Sequence, residues 1–480
     1  MDGPASIPHK STLLAQFARI RRSPFFLNLA SLGGATVASR LIGLITLGYT
    51  ARVMGPEHYG IIGFGASVAA YAGIVISPGL MTWGARELAR DRANAGRYLV
   101  IVNLTQLVLA LLAFSGLIAF AFLALSDPVE RTVVILSGLV LLQTALAAEW
   151  VLNGLELVRV TAGIGLVSTC ISTAGLLLLI RSPEHLYRVP LLSLGVGLLS
   201  SCITYAVLLK RLGVRLILPS AREFRTALRA SAPLGVTLAL VVVLHHANNL
   251  IIRAFVGQAE LGMYLASYRL LELATTVPAL LGTAFLPRLY RSVADSPEAS
   301  AREARLFAQV HMTLAFPVAA MFLAEAGTII GMVYGESYLA AVTLLRIMSL
   351  AVLFNFAICG YSNCLIAFGR DRVMLAVVVA SAVVAIGGGL LAVPVLGATG
   401  AAIVVAGVDM AGFLVSLPAY SRTIGALQFG TWTLPALGGG CMVAMSFGLQ
   451  ATPLPVWLRI VLVMSVYLPF AWAGARRILR

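Results

Sequence analysis

The sequence predicts an all-α polytopic membrane protein with about 14 transmembrane helices, and composition, apolar run length and charge placement all support this class. Of its 480 residues, 60% are hydrophobic and only 11% are charged, and the mean hydropathy is +0.95. In a soluble chain, about a quarter of all residues are usually charged. These values exclude a soluble protein.

Apolar runs of bilayer-crossing length, roughly 20 residues, follow one another along the chain. Turn residues or charges separate them, among them Gly55-Pro56, Asp127-Pro128 and Ser296-Pro297. The spans form two sets of six, followed by two C-terminal spans. Their predicted bounds are 27–53, 60–83, 98–124, 131–153, 158–180, 189–209, 231–256, 262–287, 307–333, 338–368, 372–393, 398–421, 431–450 and 456–475.

The same pattern divides the chain into five parts. They are a basic N-terminal segment (1–26), a first lobe (27–209), a basic linker (210–230), a second lobe (231–421) and a C-terminal part with two spans (422–480). The linker, the longest polar break, is too short to fold as a catalytic domain, so we expect the function to reside in the helical bundle. Five scattered cysteines predict neither a disulfide framework nor a metal site.

The net charge of +15 is explained by topology. If the N-terminus is cytoplasmic, 25 of the 34 Lys and Arg residues fall in inner segments, six in outer loops and three within spans. Such an asymmetry follows the positive-inside rule and predicts that both termini are cytoplasmic. Because the basic residues are dispersed over separate inner segments, a nucleic-acid partner is not expected.

An internal repeat relates the two sets of six spans. Gly55 and Gly60 follow the first span, and Gly257 and Gly262 follow the seventh, each 202 positions later. Because six is an even number, the two lobes would have the same orientation in the membrane, as in transporters built of two parallel repeats around a central site.

The chain resembles the oligosaccharide flippases, or polysaccharide exporters, of the multidrug/oligosaccharidyl-lipid/polysaccharide superfamily. The resemblance covers nearly the whole chain through motifs in fixed order at 39–43, 52–60, 84–90, 261–270, 285–287, 333–338 and 367–370. It implies a flippase of the bacterial inner membrane that carries a polyprenyl-diphosphate-linked oligosaccharide outward, for a surface polysaccharide such as O-antigen or exopolysaccharide. Membrane lipids, a polysaccharide polymerase and chain-length proteins are the further partners that it implies.

Three arginines lie within spans. Inserting each of them into the membrane costs roughly 2.5–3.5 kcal/mol, so a charged residue in a span is usually functional or paired. Arg40, Arg269 and Arg346 are the candidate contacts for a diphosphate, because the guanidinium group binds phosphate oxygens in bidentate fashion and stays charged. Thr36, on the polar face of the first span with Arg40, and Thr46 are further candidate substrate contacts. In the related lipid II flippases a second arginine follows six residues after the first; here that position is Thr46, which argues against lipid II as the substrate.

Each of these arginines also has a structural alternative. Arg40 has helix-end carbonyls as alternative partners, Arg269 is three residues from Glu272 and within ion-pair reach on a helix, and Arg346 has Asp409 in another span as a candidate partner. Asp409 is also a candidate proton or cation site.

His245 shares a helical face with Asn249, which predicts either a polar coupling site or a buried hydrogen bond. We expect no catalytic residues, no metal and no cofactor, because no nucleophile-base set, phosphate loop or metal-ligand spacing occurs.

The expected mechanism is alternating access of the two lobes. An anion that leaves a negative cytoplasm moves downhill by about 2.3 kcal/mol per charge per 100 mV, so the membrane potential alone would suffice; proton or cation coupling is the alternative. A multidrug/cation antiporter and a membrane glycan polymerase or ligase are the rival functions.

Overall fold

The computed structural model describes the backbone of residues 24–77, 79–425 and 429–479, and the side chains from residue 38 onward apart from a few positions. This part of the chain is mostly helical and contains no strand. The α-helices are α1 (Pro24–Ile76), α2 (Leu80–Arg90), α3 (Ala95–Ala124), α4 (Pro128–Ala145), α5 (Glu149–Gly154), α6 (Val158–Leu179), α7 (Arg188–Ala206), α8 (Ala221–Phe255), α9 (Gln258–Asp295), α10 (Pro297–Ala324), α11 (Ala326–Tyr334), α12 (Ala341–Ala367), α13 (Asp371–Val383), α14 (Gly389–Thr423), α15 (Thr433–Gln450) and α16 (Val456–Leu479).

Two long helices are divided by glycines. In α1 the backbone leaves helical geometry at Gly55 (φ 70°), just before Pro56, and in α14 it does so at Gly397 (φ 61°). Positive φ is readily adopted by glycine alone, so both breaks follow from the sequence. Each separates two spans that hydropathy also separates.

Eleven helical stretches in the described chain are long and apolar enough to cross a membrane. Two of them, Ala38–Ile76 and Asp371–Thr423, contain the glycine breaks and therefore hold two predicted spans each. The predicted span 431–450 corresponds to α15, which has 18 residues and is not one of these eleven stretches. Large apolar side chains cover the outside of the bundle, including Leu123 and Leu391, as lipid contact requires. The predicted all-α polytopic class is confirmed.

The glycine repeat forms a close crossing of α1 and α9. A Cβ atom added at Gly60 would lie 1.9 Å from the Gln258 carbonyl oxygen, and one added at Gly262 would lie 1.9 Å from the Pro56 carbonyl oxygen. An offset of 202 positions relates Gly60 to Gly262 and Pro56 to Gln258, so the two contacts are equivalent by the internal repeat. Only glycine permits this approach of two backbones.

Ionic and polar contacts join the two predicted lobes beside this crossing, at what we call the Gly55 end of the bundle. Glu130 at the start of α4 is fully buried and receives two hydrogen bonds of 2.5 Å from Arg253 near the end of α8. Arg52 in α1 donates from Nε to the Val333 carbonyl at 2.9 Å and from Nη2 to the Gly331 carbonyl at 3.3 Å, which caps the C-terminus of α11. The Gly55 end is therefore closed.

The two C-terminal helices are attached by a buried ionic contact. Glu325, between α10 and α11, accepts hydrogen bonds from Arg459 of α16 at 3.0 Å and from Ser446 of α15 at 2.6 Å. The side chain of Glu325 is fully buried and that of Arg459 is 13% exposed. This contact fixes both helices to α10. The division of the chain into five parts stays a prediction.

Candidate functional site

The polar face of the first span lines internal cavities, whereas its apolar face points outward. Gly43 and Thr46 face inward, while Leu41 and Ile45 are 55% and 63% exposed on the outside of the bundle. The side chain of Thr36, the other predicted residue of this face, lies outside the described part of the chain. The break at Gly55 brings the second half of α1 back along the same space.

The hydroxyl cavity, as we call it, has a volume of about 510 Å³. Its walls are both halves of α1, one face of α6, one face of α7 and two residues of α9. The lining residues are Gly43, Thr46, Leu47, Thr50, Tyr59, Ile62, Gly63, Ala66, Ser168, Thr169, Ser172, Thr173, Val189, Ser193, Val196, Leu265 and Arg269. Arg269 is the one charged group in this lining.

The arginine cavity, of about 350 Å³, adjoins it and brings together two of the three predicted arginines. It is lined by Arg40 and Ser39 of α1, by Thr169 of α6, and by Arg269 and Glu272 of α9, together with apolar residues. Gly43, Leu47, Thr169 and Arg269 line both cavities. The two cavities are therefore adjoining compartments of one space.

Arg269 and Glu272 form the ion pair that their spacing allows. Arg269 Nη1 lies 2.6 Å from Glu272 Oε2, and the two side chains remain 38% and 32% exposed. Both groups are thus accessible from the arginine cavity. Arg40 is exposed to the same cavity, and no carboxylate of the described residues lies within ion-pair distance of it. The lining carries two positive charges and one negative charge.

The carboxylate cavity, of about 280 Å³, lies on the other side of α9. Glu272, His245, Asn355 and Asp409 line it. Asn355 Nδ2 donates to Asp409 Oδ1 at 3.4 Å, so Asn355, rather than Arg346, is the partner that the structure gives to Asp409. Within the described chain, no group of three His, Cys, Asp or Glu side chains has the geometry of a metal site.

His245 and Asn249 separate into different environments. His245 Nδ1 lies 2.9 Å from the Tyr268 hydroxyl at the carboxylate cavity. The side chain of Asn249 is buried and its Nδ2 donates to Ser67 Oγ of α1 at 2.8 Å. The neighbouring His246 also contacts Ser67 Oγ, at 3.2 Å. Asn249 therefore joins α8 to α1.

Arg346 of α12 lies away from this region. Its side chain is exposed and lines none of the three cavities. Its backbone carbonyl accepts a hydrogen bond from Ser349. Of the three predicted arginines, the structure brings Arg40 and Arg269 together and leaves Arg346 apart.

The serines and threonines of α6 were missed from the sequence. They occur as two Ser-Thr pairs, Ser168-Thr169 and Ser172-Thr173, four residues apart. This spacing places all four hydroxyls on one helical face, and that repeat was the available signal. Apart from Arg159 at its start, span five carries no charge that would direct attention to it.

Internal charged and polar cavities within a bundle of apolar helices define a polytopic membrane transporter fold. The chain belongs to the polysaccharide biosynthesis protein family, whose model matches residues 26–293. The family resemblance and the multi-pass membrane location expected from the sequence are confirmed. A search of curated protein sequences found no significant match.

Several solved structures have a similar fold. The lipid II flippase MurJ in its inward closed conformation is 15% identical, with a TM-score of 0.74 over 94% of this chain and 99% of that chain. An inward-facing multidrug resistance MATE family transporter of the MOP superfamily is 16% identical, with a TM-score of 0.60 over 80% and 94%. A MOP superfamily transporter from Pyrococcus furiosus, described with a binding pocket of reverse polarity, is 12% identical, with a TM-score of 0.55 over 83% of this chain and 94% of that chain.

Proposed function

We propose that the protein is a flippase that moves a polyprenyl-diphosphate-linked oligosaccharide from the cytoplasmic to the outer leaflet of the bacterial inner membrane. The observation that carries this proposal is the arginine cavity, where Arg40 and Arg269 face one space between α1, α6 and α9. A diphosphate is the kind of ligand that two guanidinium groups bind well, through charge-assisted and bidentate hydrogen bonds.

The charge balance of this cavity distinguishes the substrate from a cationic drug. Two arginines against Glu272 leave one net positive charge in the lining, which attracts an anion and repels a cation. An antiporter for cationic drugs would need the opposite balance. The family match to polysaccharide biosynthesis proteins favours the same substrate class.

The ion pair between Arg269 and Glu272 gives this site a way to exchange partners. Both groups are about one-third exposed, so a diphosphate entering beside Arg40 competes with Glu272 for the Arg269 guanidinium. Substrate contact would then free Glu272, which also lines the carboxylate cavity with Asp409. This arrangement links substrate binding to the second lobe.

Alternating access supplies the transport step. The Gly55 end, which charge placement predicts to face outward, is closed by Glu130–Arg253 and by Arg52. We propose that these contacts open when the headgroup moves outward, while the polyprenyl tail stays in the surrounding lipid. The membrane potential drives this movement, by about 2.3 kcal/mol per charge per 100 mV, and proton or cation coupling through Asp409 is the competing source. A polysaccharide polymerase and chain-length proteins would use the product at the outer face.

The test is headgroup translocation by the purified protein in proteoliposomes, with a fluorescent polyprenyl-diphosphate-linked disaccharide and an impermeant quencher. Arg40→Gln is expected to lower the initial rate by about 10- to 100-fold, since a hydrogen bond to a charged group contributes about 1.5–3 kcal/mol. Arg346→Gln is the matched control, because it removes another arginine within a span that lies outside the cavities. A wild-type rate equal to that of protein-free liposomes would refute the proposal, and equal rates for Arg40→Gln and wild type would refute the role of Arg40.

A further inference from the structure

The hydroxyl cavity contains a wall that the diphosphate does not explain. Ser168, Thr169, Ser172 and Thr173 of α6 and Ser193 of α7 line one side of it. No residue of α6 or α7 in this lining is ionisable. Diphosphate oxygens need donors and positive charge, and this wall offers only neutral hydroxyls.

The bonding state of these hydroxyls makes most of them acceptors toward the cavity. Thr169 and Thr173 donate to carbonyls of their own helix at 2.9 Å, and Ser193 donates to the Val189 carbonyl at 3.1 Å. A hydroxyl that donates to its own helix keeps its lone pairs available. Such a wall suits a ligand that is itself rich in O–H donors.

Two further hydroxyls have no partner within the described protein. Ser168 and Ser172 line the cavity, are half-buried, and make no hydrogen bond to any described residue. Each can therefore both donate to and accept from a ligand. Thr46 of α1 lies 2.6 Å from the Thr173 hydroxyl, which joins α1 to the same wall.

Size and position agree with one compartment of a larger headgroup site. A volume of about 510 Å³ lies within the range of small-molecule sites, about 300–1,000 Å³. The cavity shares Arg269 and Thr169 with the arginine cavity. A diphosphate held by Arg40 and Arg269 would therefore place the group attached to it within the hydroxyl cavity.

We propose that the hydroxyl cavity is the subsite for the first sugars of the lipid-linked saccharide, and that these sugars are uncharged. Ser168, Thr169, Ser172 and Ser193 hydrogen-bond the sugar hydroxyls. Because the diphosphate occupies Arg269, an acidic sugar would bury a carboxylate against a wall with no cation, which is unfavourable. The inference rests on the proposed flippase function and adds its substrate class.

The experiment compares three lipids in the same proteoliposome assay: polyprenyl diphosphate without sugar, with a neutral disaccharide, and with a disaccharide whose first sugar is a uronic acid. The double variant S168A/S172A is expected to lower the initial rate for the neutral disaccharide lipid by about tenfold, since two hydrogen bonds are lost. The rate for the sugar-free lipid is expected to stay unchanged. Wild type is expected to move the neutral disaccharide faster than the acidic one.

Ser193→Ala provides a second variant if the double variant does not fold, because Ser193 lines the hydroxyl cavity and not the arginine cavity. Its matched control is Ser465→Ala, which removes an exposed serine of α16 outside these cavities. Equal losses for the sugar-free and disaccharide lipids, or no loss for either, would overturn the sugar subsite. Equal wild-type rates for the neutral and acidic lipids would overturn its selectivity, and movement of none of the three lipids by wild type would overturn the flippase function itself.

Discussion

The ion pair that closes the Gly55 end gives a sharp test of alternating access. Glu130→Gln keeps the shape of the side chain but removes its charge, so Arg253 loses its partner. Glu130 is 0% exposed and Arg253 is 30% exposed, and two hydrogen bonds of 2.5 Å join them. The pair connects α4 of the first lobe to α8 of the second, so opening this end would break it.

The magnitude follows from this burial. Removing one partner of a buried, hydrogen-bonded charge pair costs about 2–5 kcal/mol, and the partial exposure of Arg253 places this case near the lower limit. A loss of about 2 kcal/mol from the closed state alone shifts the ratio of closed to open molecules by about 30-fold. The expected result is a large rise in the population open at the Gly55 end.

Distances between spin labels at Ser126→Cys and Ser337→Cys measure this population, because both positions are exposed at the Gly55 end in different lobes. The labels require a background in which the five native cysteines are replaced. The variant Glu130→Gln is expected to transfer molecules from the short to the long distance. The control Glu303→Gln breaks a 3.0 Å ion pair with Arg288 inside the second lobe. Identical distributions for Glu130→Gln and wild type would refute the reasoning.

Three other predictions follow from particular contacts. Gly262→Ala places a Cβ atom 1.9 Å from the Pro56 carbonyl oxygen, so we expect the α1–α9 crossing to separate and the melting temperature in detergent to fall. Glu325→Gln removes the charge that holds Arg459, so we expect a loss of stability of about 3–5 kcal/mol and earlier proteolysis of the last two helices. If the membrane potential alone drives transport, Asp409→Asn should leave the flipping rate unchanged at a fixed potential.

Each of these predictions has its own control and contrary outcome. Gly327→Ala is the control for Gly262→Ala, because its added Cβ atom would have no neighbour within 4 Å, and it should melt no lower than wild type. A melting temperature of Gly262→Ala equal to that of wild type would contradict the prediction. Proteolysis of Glu325→Gln at the wild-type rate would show that the last two helices are held by apolar packing instead. A loss of transport in Asp409→Asn with a normal melting profile would indicate coupling through this carboxylate.

Local features of the fold could be predicted because they depend on neighbouring residues. The breaks in α1 and α14 fall at Gly55 and Gly397, because glycine readily adopts positive φ. Each of these glycines also has a proline within three residues, Pro56 and Pro394 respectively. The spacing of Arg269 and Glu272 predicts their ion pair for the same reason. The two faces of the first span were also readable, as the inward Arg40 and the outward Leu41 show.

Contacts between distant segments could not be predicted in this way. Glu130 and Arg253 are 123 positions apart, and the residues next to each of them do not indicate which residue it pairs with. Asp409 had Arg346 as its candidate partner, and the structure gives it Asn355 instead. The glycine repeat indicated two related lobes, but that Gly60 and Gly262 form a backbone crossing depends on how α1 and α9 pack.

The sequence by itself determined the class of this protein, because apolar run length and charge placement are set by the bilayer and need no tertiary contact. It also singled out the arginines, since a charge within a span is costly wherever the helix lies. The tertiary structure decided which polar side chains share a space. Helix rotation and packing turn Arg40, Arg269 and the hydroxyls of α6 toward adjoining cavities and leave Arg346 outside them.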